Sequence, residues 1–321
     1  MDTVVTHPQP GQLVALSSRV EQIYPTLTAA QLERIAARGR VRAIAEGEVL
    51  VHSGERTAQF FVVRAGRLDV LRHTPAAEEV VTSFGPGMFT GEVSLLSGRR
   101  GIADIRAGAG GEVIEVDRDR LLALIQSDGE LSEILMRAFI LRRVELIARG
   151  VGDVVVLGST HCQGTLRVRE FLTRNGHPYT SIDLDKDSGV QELLDRFQIK
   201  AADIPVVICR CEVVLRNPTN QQIADCLGFN EAIEQTHVRD VVVVGAGPAG
   251  LAAAVYAASE GLDVLVVEST APGGQAGTSS RIENYLGFPM GISGNELAGR
   301  AYAQAQKFGA EIIIARDATR L

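Results

Sequence analysis

Three glycines and one acid carry the sharpest chemical signal in the chain. Gly245, Gly247 and Gly250 fall in G-x-G-x-x-G spacing within the segment GAGPAG. Glu268 stands about 20 residues further on, where an acid can take a ribose hydroxyl. In this pattern Gly245 makes the tight turn, Gly247 lets the backbone approach a pyrophosphate, and Gly250 lets a helix pack closely on a strand. Pro248 and Ala249 lead from the turn into that helix. The phosphates would rest on the helix N-terminus, where free N–H groups and the helix dipole favour negative charge. These residues predict a dinucleotide site.

The elements that must position them are legible on either side. Val241 to Val244 is a run of four valines, predicted as a parallel strand buried on both faces. A helix is predicted from Leu251 to Ser259, with Gly261 stopping it. A second strand, Asp263 to Val267, ends on Glu268.

The composition narrows the function classes. A chain of 321 residues is long enough for two or three domains, each with its own core. Hydrophobic residues make up 45% and charged residues 22%, the balance of a globular chain. The net charge of −7 argues against a large nucleic-acid surface, which needs clustered Lys and Arg. No run of about 18 apolar residues predicts a membrane span, and the N-terminus has neither a basic start nor an apolar core. Four cysteines (Cys162, Cys209, Cys211 and Cys226) are too few for a disulfide scaffold and match no zinc spacing. A reducing, cytoplasmic setting follows as the expectation.

The front of the chain, 19–150, opens with a capping-box signature at Thr28 and Gln31 before a helix predicted over Ala29 to Arg38. Short strands are then predicted at Val41 to Ile44, Phe60 to Arg64, Arg67 to Leu71, Glu79 to Phe84, Ala103 to Arg106 and Val113 to Val116. Glycines lie between them, which suggests a small antiparallel barrel or roll. Asp117 caps a helix over Arg118 to Gln126, and a longer helix runs from about Glu130 to Arg149. The order of elements, the F-x-V-x-x-G-x-L-x-V run from Phe61 to Val70, and FTGEVSLLSG from Phe89 to Gly98 resemble the cyclic-nucleotide-binding domain. The resemblance implies that Gly91 and Glu92 open a phosphate-binding cassette, with Glu92 on the ribose 2′-hydroxyl. The cassette departs from the family pattern where an Arg-Ser or Arg-Thr pair should close it, because Gly101 and Ile102 stand there. Arg99 and Arg100 lie just before. Three readings follow: cyclic-nucleotide binding, a degenerate regulatory or packing module, or another anionic effector held by Arg99 or Arg100.

The middle, 152–228, alternates strands and helices: Asp153 to Leu157, Leu166 to Asn175, Tyr179 to Leu184, Val190 to Phe197, Val206 to Ile208, Cys211 to Leu215 and Asn220 to Cys226. This order resembles the thioredoxin/glutaredoxin fold, and Ile204-Pro205 sits where that family keeps a cis-proline facing its active site. The family's redox motif follows the first strand, where this chain has Cys162, Gln163, Gly164 and Thr165. Threonine at the second cysteine position removes the dithiol cycle. Cys162 is then either part of a non-catalytic adaptor or a single reactive thiol, whose pKa a charged His161 could lower. Cys209, Cys211 and Cys226 read as small buried thiols.

The third region, 238–321, continues beyond Glu268 with APGGQ (Ala271 to Gln275), RIENYLGFP (Arg281 to Pro289) and GISGNEL (Gly291 to Leu297). A helix over Glu296 to Phe308 and a strand over Glu311 to Ala315 follow. Together with GAGPAG this resembles the flavin-binding half of bacterial thioredoxin reductase. The resemblance implies FAD as cofactor, with Gly273, Gly274, Gln275 and Asn284 near the isoalloxazine ring. It also implies NADPH as electron donor, a thioredoxin-like protein disulfide as substrate, and a homodimer. The second glycine motif and the C-x-x-C pair of that family do not occur before Leu321, and the sheet is expected to have unpaired edges. The expectation is the first part of a longer enzyme, or a truncated gene product. The fold class expected is multidomain α+β and α/β: an antiparallel β-roll with helices, a thioredoxin-like α/β domain and a partial Rossmann-like FAD-binding domain.

Overall fold

The computed structural model describes residues 20–55, 59–73, 78–91, 95–96, 99–101, 103–148, 154–186, 200, 203–209, 213–230 and 237–320. The helix predicted from Val190 to Phe197, together with Glu92, Ile102 and Cys211, lies outside the described residues.

In the front region, helices α1 (Val20–Ile23) and α2 (Ala29–Ala36) precede an antiparallel sheet. The capping box forms as the sequence predicts. Thr28 Oγ1 accepts from the Gln31 N–H, and Gln31 Oε1 accepts from the Thr28 N–H. The sheet runs β1 (Arg40–Ile44), β5 (Asp104–Asp117), β3 (Gln59–His73) and β4 (Glu78–Phe84), with β2 (Val49–Val51) paired to β5. Two predicted pairs of short strands are therefore single long strands, β3 and β5. The glycines read as turns between them lie where these strands cross: a Cβ on Gly111 would stand 2.1 Å from the Ala65 carbonyl oxygen. The register shifts there, as at a β-bulge.

Helices α3 (Arg118–Ser127) and α4 (Gly129–Ala148) close the front core. Asp117 caps α3 by accepting from the Arg120 N–H. Phe60, Phe89 and Phe139 meet in one aromatic cluster, with ring centroids 5.6 to 6.1 Å apart.

The middle region is a mixed sheet in the order β7 (Thr180–Asp183), β6 (Val154–Gly158), β8 (Val206–Cys209) and β9 (Val213–Arg216). β6 and β7 are parallel, and the other two pairings are antiparallel. Helices α5 (Gln163–Arg174) and α6 (Asn220–Leu227) bury Val168, Phe171, Leu172, Ile223 and Ala224. Ile204-Pro205 is cis, at the position predicted. Cys209 is buried, whereas Cys226 is only half-buried.

The third region holds a parallel sheet in the order β10 (Val241–Val244), β11 (Val264–Glu268) and β12 (Glu311–Ile314), with helices α7 (Pro248–Ser259) and α8 (Gly294–Lys307). One expectation fails here. Val242 and Val244 are 55% and 59% exposed, so β10 is not buried on both faces. It is an edge strand, and α7 covers the opposite side through Leu251, Ala254 and Ala258. β12 forms the other edge, and a side chain caps it. The Asn230 amide donates to the Ile314 carbonyl and accepts from the Ile314 N–H, both at 2.8 Å. The middle and third regions share one apolar core, in which Val156, Phe171 and Phe229 are continuous with Ala254, Val266 and Ile312.

Candidate functional site

The G-x-G-x-x-G turn joins β10 to α7 as the spacing predicts. Gly245 has φ of +96°, a left-handed conformation that a side chain would strain. Gly247 is the N-cap of α7 and Pro248 follows inside the first turn, so no side chain caps the helix. The first-turn N–H groups are left for an outside acceptor. A Cβ on Gly245 or Gly247 would meet nothing within 4 Å. The turn is open on the side a ligand would approach. Gly250 is the reverse: a Cβ there would stand 1.9 Å from the Gly245 carbonyl oxygen. Helix and strand pack here at a distance only glycine allows. Ala249 is exposed beside them.

Glu268 ends β11 and is buried, with three backbone partners. One carboxylate oxygen accepts from the Ala246 N–H at 2.7 Å. The other accepts from the N–H groups of Thr270 at 2.8 Å and Ala271 at 3.2 Å. The acid therefore clamps the glycine turn to the loop after β11. A carboxylate has about four acceptor positions, so one remains for a ligand hydroxyl.

The 273–275 loop is brought against the same turn. The Gly273 N–H donates to the Ala246 carbonyl at 2.7 Å, and a Cβ on Gly274 would lie 3.2 Å from Gly247 Cα. Gln275 is exposed in the short 3-10 turn Gly274–Thr278. Asn284 is exposed on a loop closed by the Ile282–Ile292 bridge. Gly245, Gly247, Gly250, Glu268, Gly273 and Gly274 thus converge, and the amide side chains stand at the open surface.

The middle region holds its own candidate. Cys162 is the N-cap of α5 and half-buried. Its thiol is held below its ordinary pKa, first by the Thr165 N–H, then by the Thr165 hydroxyl and the Gly164 N–H, with burial opposing. Thr165 is 1% exposed, and its hydroxyl is without a hydrogen-bond partner. The thiolate supplies one. Pro205 stands over this first turn, 2.8 Å from where a Cβ on Gly164 would lie. His161, expected to lower the thiol pKa if charged, turns its Nδ1 to Asp185 at 3.3 Å.

In the front region, Gly91 has φ of +96° and packs under Leu95 and Phe139. Arg142, on α4, donates to the carbonyls of Phe89 and Gly91, both at 2.9 Å, and its guanidinium lies 4.5 Å from the Phe89 ring centroid. Glu92, the residue expected on a ribose, lies outside the described residues. Arg99 and Arg100 point to the other regions. Arg99 is 6% exposed and donates to the Asn175 carbonyl and the Tyr302 hydroxyl. Arg100 lies over Gly228.

The sequence reading missed Arg142, Arg174 and Asn175. Arg142 sits three residues after Phe139 on the apolar stripe of α4, a position where a charge is a visible signal. Asn175 looked only like a helix end. In the structure its side-chain amide donates to the Thr270 carbonyl at 3.2 Å, and Arg174 donates to the Gly274 carbonyl at 2.7 Å. No sequence pattern announces either contact.

Two stretches of the chain match known protein families. Residues 41–128 match the cyclic nucleotide-binding domain, and residues 239–320 match the pyridine nucleotide-disulphide oxidoreductase family. The thioredoxin reductase of Ureaplasma parvum serovar 3 is 51% identical over 76 residues, 24% of this chain and 24% of that protein. The thioredoxin reductase of Bacillus subtilis (strain 168) is 43% identical over 79 residues, 25% of each. A solved structure described as belonging to a cyclic-GMP-dependent signalling pathway that regulates bacterial phytopathogenesis is 30% identical. It covers 37% of this chain and 96% of its own length, with a TM-score of 0.33. The chain spans about a quarter of the length of the curated relatives it matches. It therefore joins a cyclic nucleotide-binding domain, at 41–128, to a segment of the pyridine nucleotide-disulphide oxidoreductase family, at 239–320, whose relatives over that stretch are thioredoxin reductases.

Proposed function

We propose that this chain belongs to a thioredoxin-disulfide reductase-like flavoprotein and holds FAD on its third module. In this reading the modules are 19–150, 152–228 and 238–321. The observation that carries it is the open turn at Gly247, uncapped by any side chain and joined to the 273–275 loop through Gly273 and Ala246. That shape fits a pyrophosphate on the α7 N-terminus. The remaining acceptor position of Glu268 suits an adenosine ribose hydroxyl, and Gln275 and Asn284 can both donate to and accept from a ring imide edge. FAD would supply two-electron chemistry between NADPH and a thioredoxin-like protein disulfide, in the cytoplasm and as a homodimer. The chain's own residues bind the phosphates, fix the ribose and hold the loop beside the ring. Among the described residues no helix is long and apolar enough to cross a membrane.

The test is FAD titration of the purified full chain, followed by quenching of flavin fluorescence. The expected result is saturable binding that Gly247→Val abolishes, because a branched side chain fills the phosphate position. A wild-type chain that takes up no FAD refutes the reading.

A second reading concerns Cys162, favoured by its lowered pKa and by the buried Thr165 hydroxyl, which can donate to a thiolate. As a single thiol it would attack a small-molecule or protein disulfide, forming a mixed disulfide and releasing the other half as a thiolate. The front module would carry a regulatory ligand, a cyclic nucleotide or another anion.

A further inference from the structure

Arg99 belongs to the front region, yet among the described residues the contacts of its guanidinium are made elsewhere. The group lies between two aromatic rings, its central carbon 4.5 Å from the Phe229 centroid and 5.4 Å from that of Tyr302. One terminal nitrogen donates to the Asn175 carbonyl at 3.2 Å and the other to the Tyr302 hydroxyl at 2.9 Å, while Nε has no partner. Among the described residues no carboxylate pairs with this buried cation. Asn175 caps the C-terminus of α5, so the negative end of that helix, together with two π faces, takes the place of a counter-ion.

The groups that Arg99 touches are the ones that hold the dinucleotide loop. Asn175 donates to Thr270, and its neighbour Arg174 donates to Gly274. Thr270 in turn donates its N–H to Glu268. From the other side, Tyr302 lies on α8, whose Ala298 Cβ stands 2.5 Å from where a Cβ on Gly273 would be. One front-region side chain thus grips both walls of the 268–275 loop.

We propose that Arg99 is a positioning residue through which the cyclic nucleotide-binding domain sets the order of the 268–275 loop, and with it the FAD affinity of the third module. The affinity part rests on the FAD reading above; the loop-order part does not. Lysine cannot replace it, because an ammonium lacks the planar fork and the stacking face.

The experiment is hydrogen–deuterium exchange by mass spectrometry on the full chain, wild type against Arg99→Ala, Arg99→Lys and Tyr302→Phe, with FAD affinity measured in parallel. The control is Arg167→Ala, on the same helix α5 but bonded to Asn220 and Pro218. In Arg99→Ala, peptides spanning 268–279 should exchange at least about tenfold faster, the lower bound expected for losing one hydrogen bond to a charged group. FAD affinity should fall by a similar factor, and Arg99→Lys should not restore either. Peptides of β3 and β6 should keep their wild-type rates, and Arg167→Ala should leave the loop unchanged. Tyr302→Phe, which removes a single oxygen, should give a smaller acceleration at the same peptides and decides the matter if Arg99→Ala does not fold. Unchanged loop exchange in the Arg99 variants, or an equal acceleration throughout the third region, overturns the proposal. If the wild type binds no FAD, that reading fails while the exchange rates still decide whether Arg99 orders the loop.

Discussion

Glu268→Gln separates two roles for one acid. If Glu268 served only a bound ribose, the protein without ligand would not notice the change. The structure predicts otherwise, because the carboxylate already accepts three backbone N–H groups across its two oxygens. Glutamine keeps the shape but has a single acceptor oxygen. Its better orientation keeps the oxygen on Thr270 and Ala271 and turns the NH2 against the N–H of Ala246. Ala246 is fully buried, so that N–H loses its partner without gaining water. An unsatisfied buried donor costs about 1–3 kcal/mol, and the two retained bonds lose their charge assistance. The expected destabilisation of the ligand-free chain is roughly 2–4 kcal/mol. Urea unfolding followed by far-UV circular dichroism reads it as a lowered midpoint at unchanged slope. A variant with wild-type stability and only a lost FAD affinity would refute the clamp.

Three further outcomes follow from the same geometry. Gly250→Ala places a methyl 1.9 Å from the Gly245 carbonyl oxygen, and should cost at least about 3 kcal/mol and abolish FAD uptake, measured by urea unfolding and flavin titration. Because the Cys162 pKa is lowered, its site-resolved alkylation by iodoacetamide should reach half-maximal rate at a lower pH than an ordinary thiol; Thr165→Val, which removes a donor to the thiolate, should move that midpoint upward. Asn230→Ala strips both backbone groups of the buried Ile314 of their amide partner, and should destabilise by about 2–4 kcal/mol while accelerating amide exchange at β12.

The glycine signature was legible because its constraints are local. Gly245, Gly250 and the Thr28 cap act within a few residues of chain, so residue type and spacing express them directly. The strand readings were less complete. β3 and β5 each looked like two strands because Gly66 and Gly111 read as turns. What places these glycines inside strands is the close approach of a second backbone, distant in sequence. The four valines of β10 promised burial on both faces, but composition cannot say whether a second layer covers them, and Val242 and Val244 are exposed.

By itself the sequence determined the chemistry available at each site: a helix N-terminus within GAGPAG, an acid at the end of the second strand, and a lone thiol at the start of α5. Each follows from the short reach of backbone geometry. Only the tertiary structure decided how these sites are joined. It turned Arg99 away from its own domain toward Asn175 and Tyr302, gave Glu268 three backbone donors, and merged the middle and third cores. The reason is physical: a buried cation or carboxylate must find partners wherever the packed chain offers them, and those partners carry no fixed spacing in the sequence.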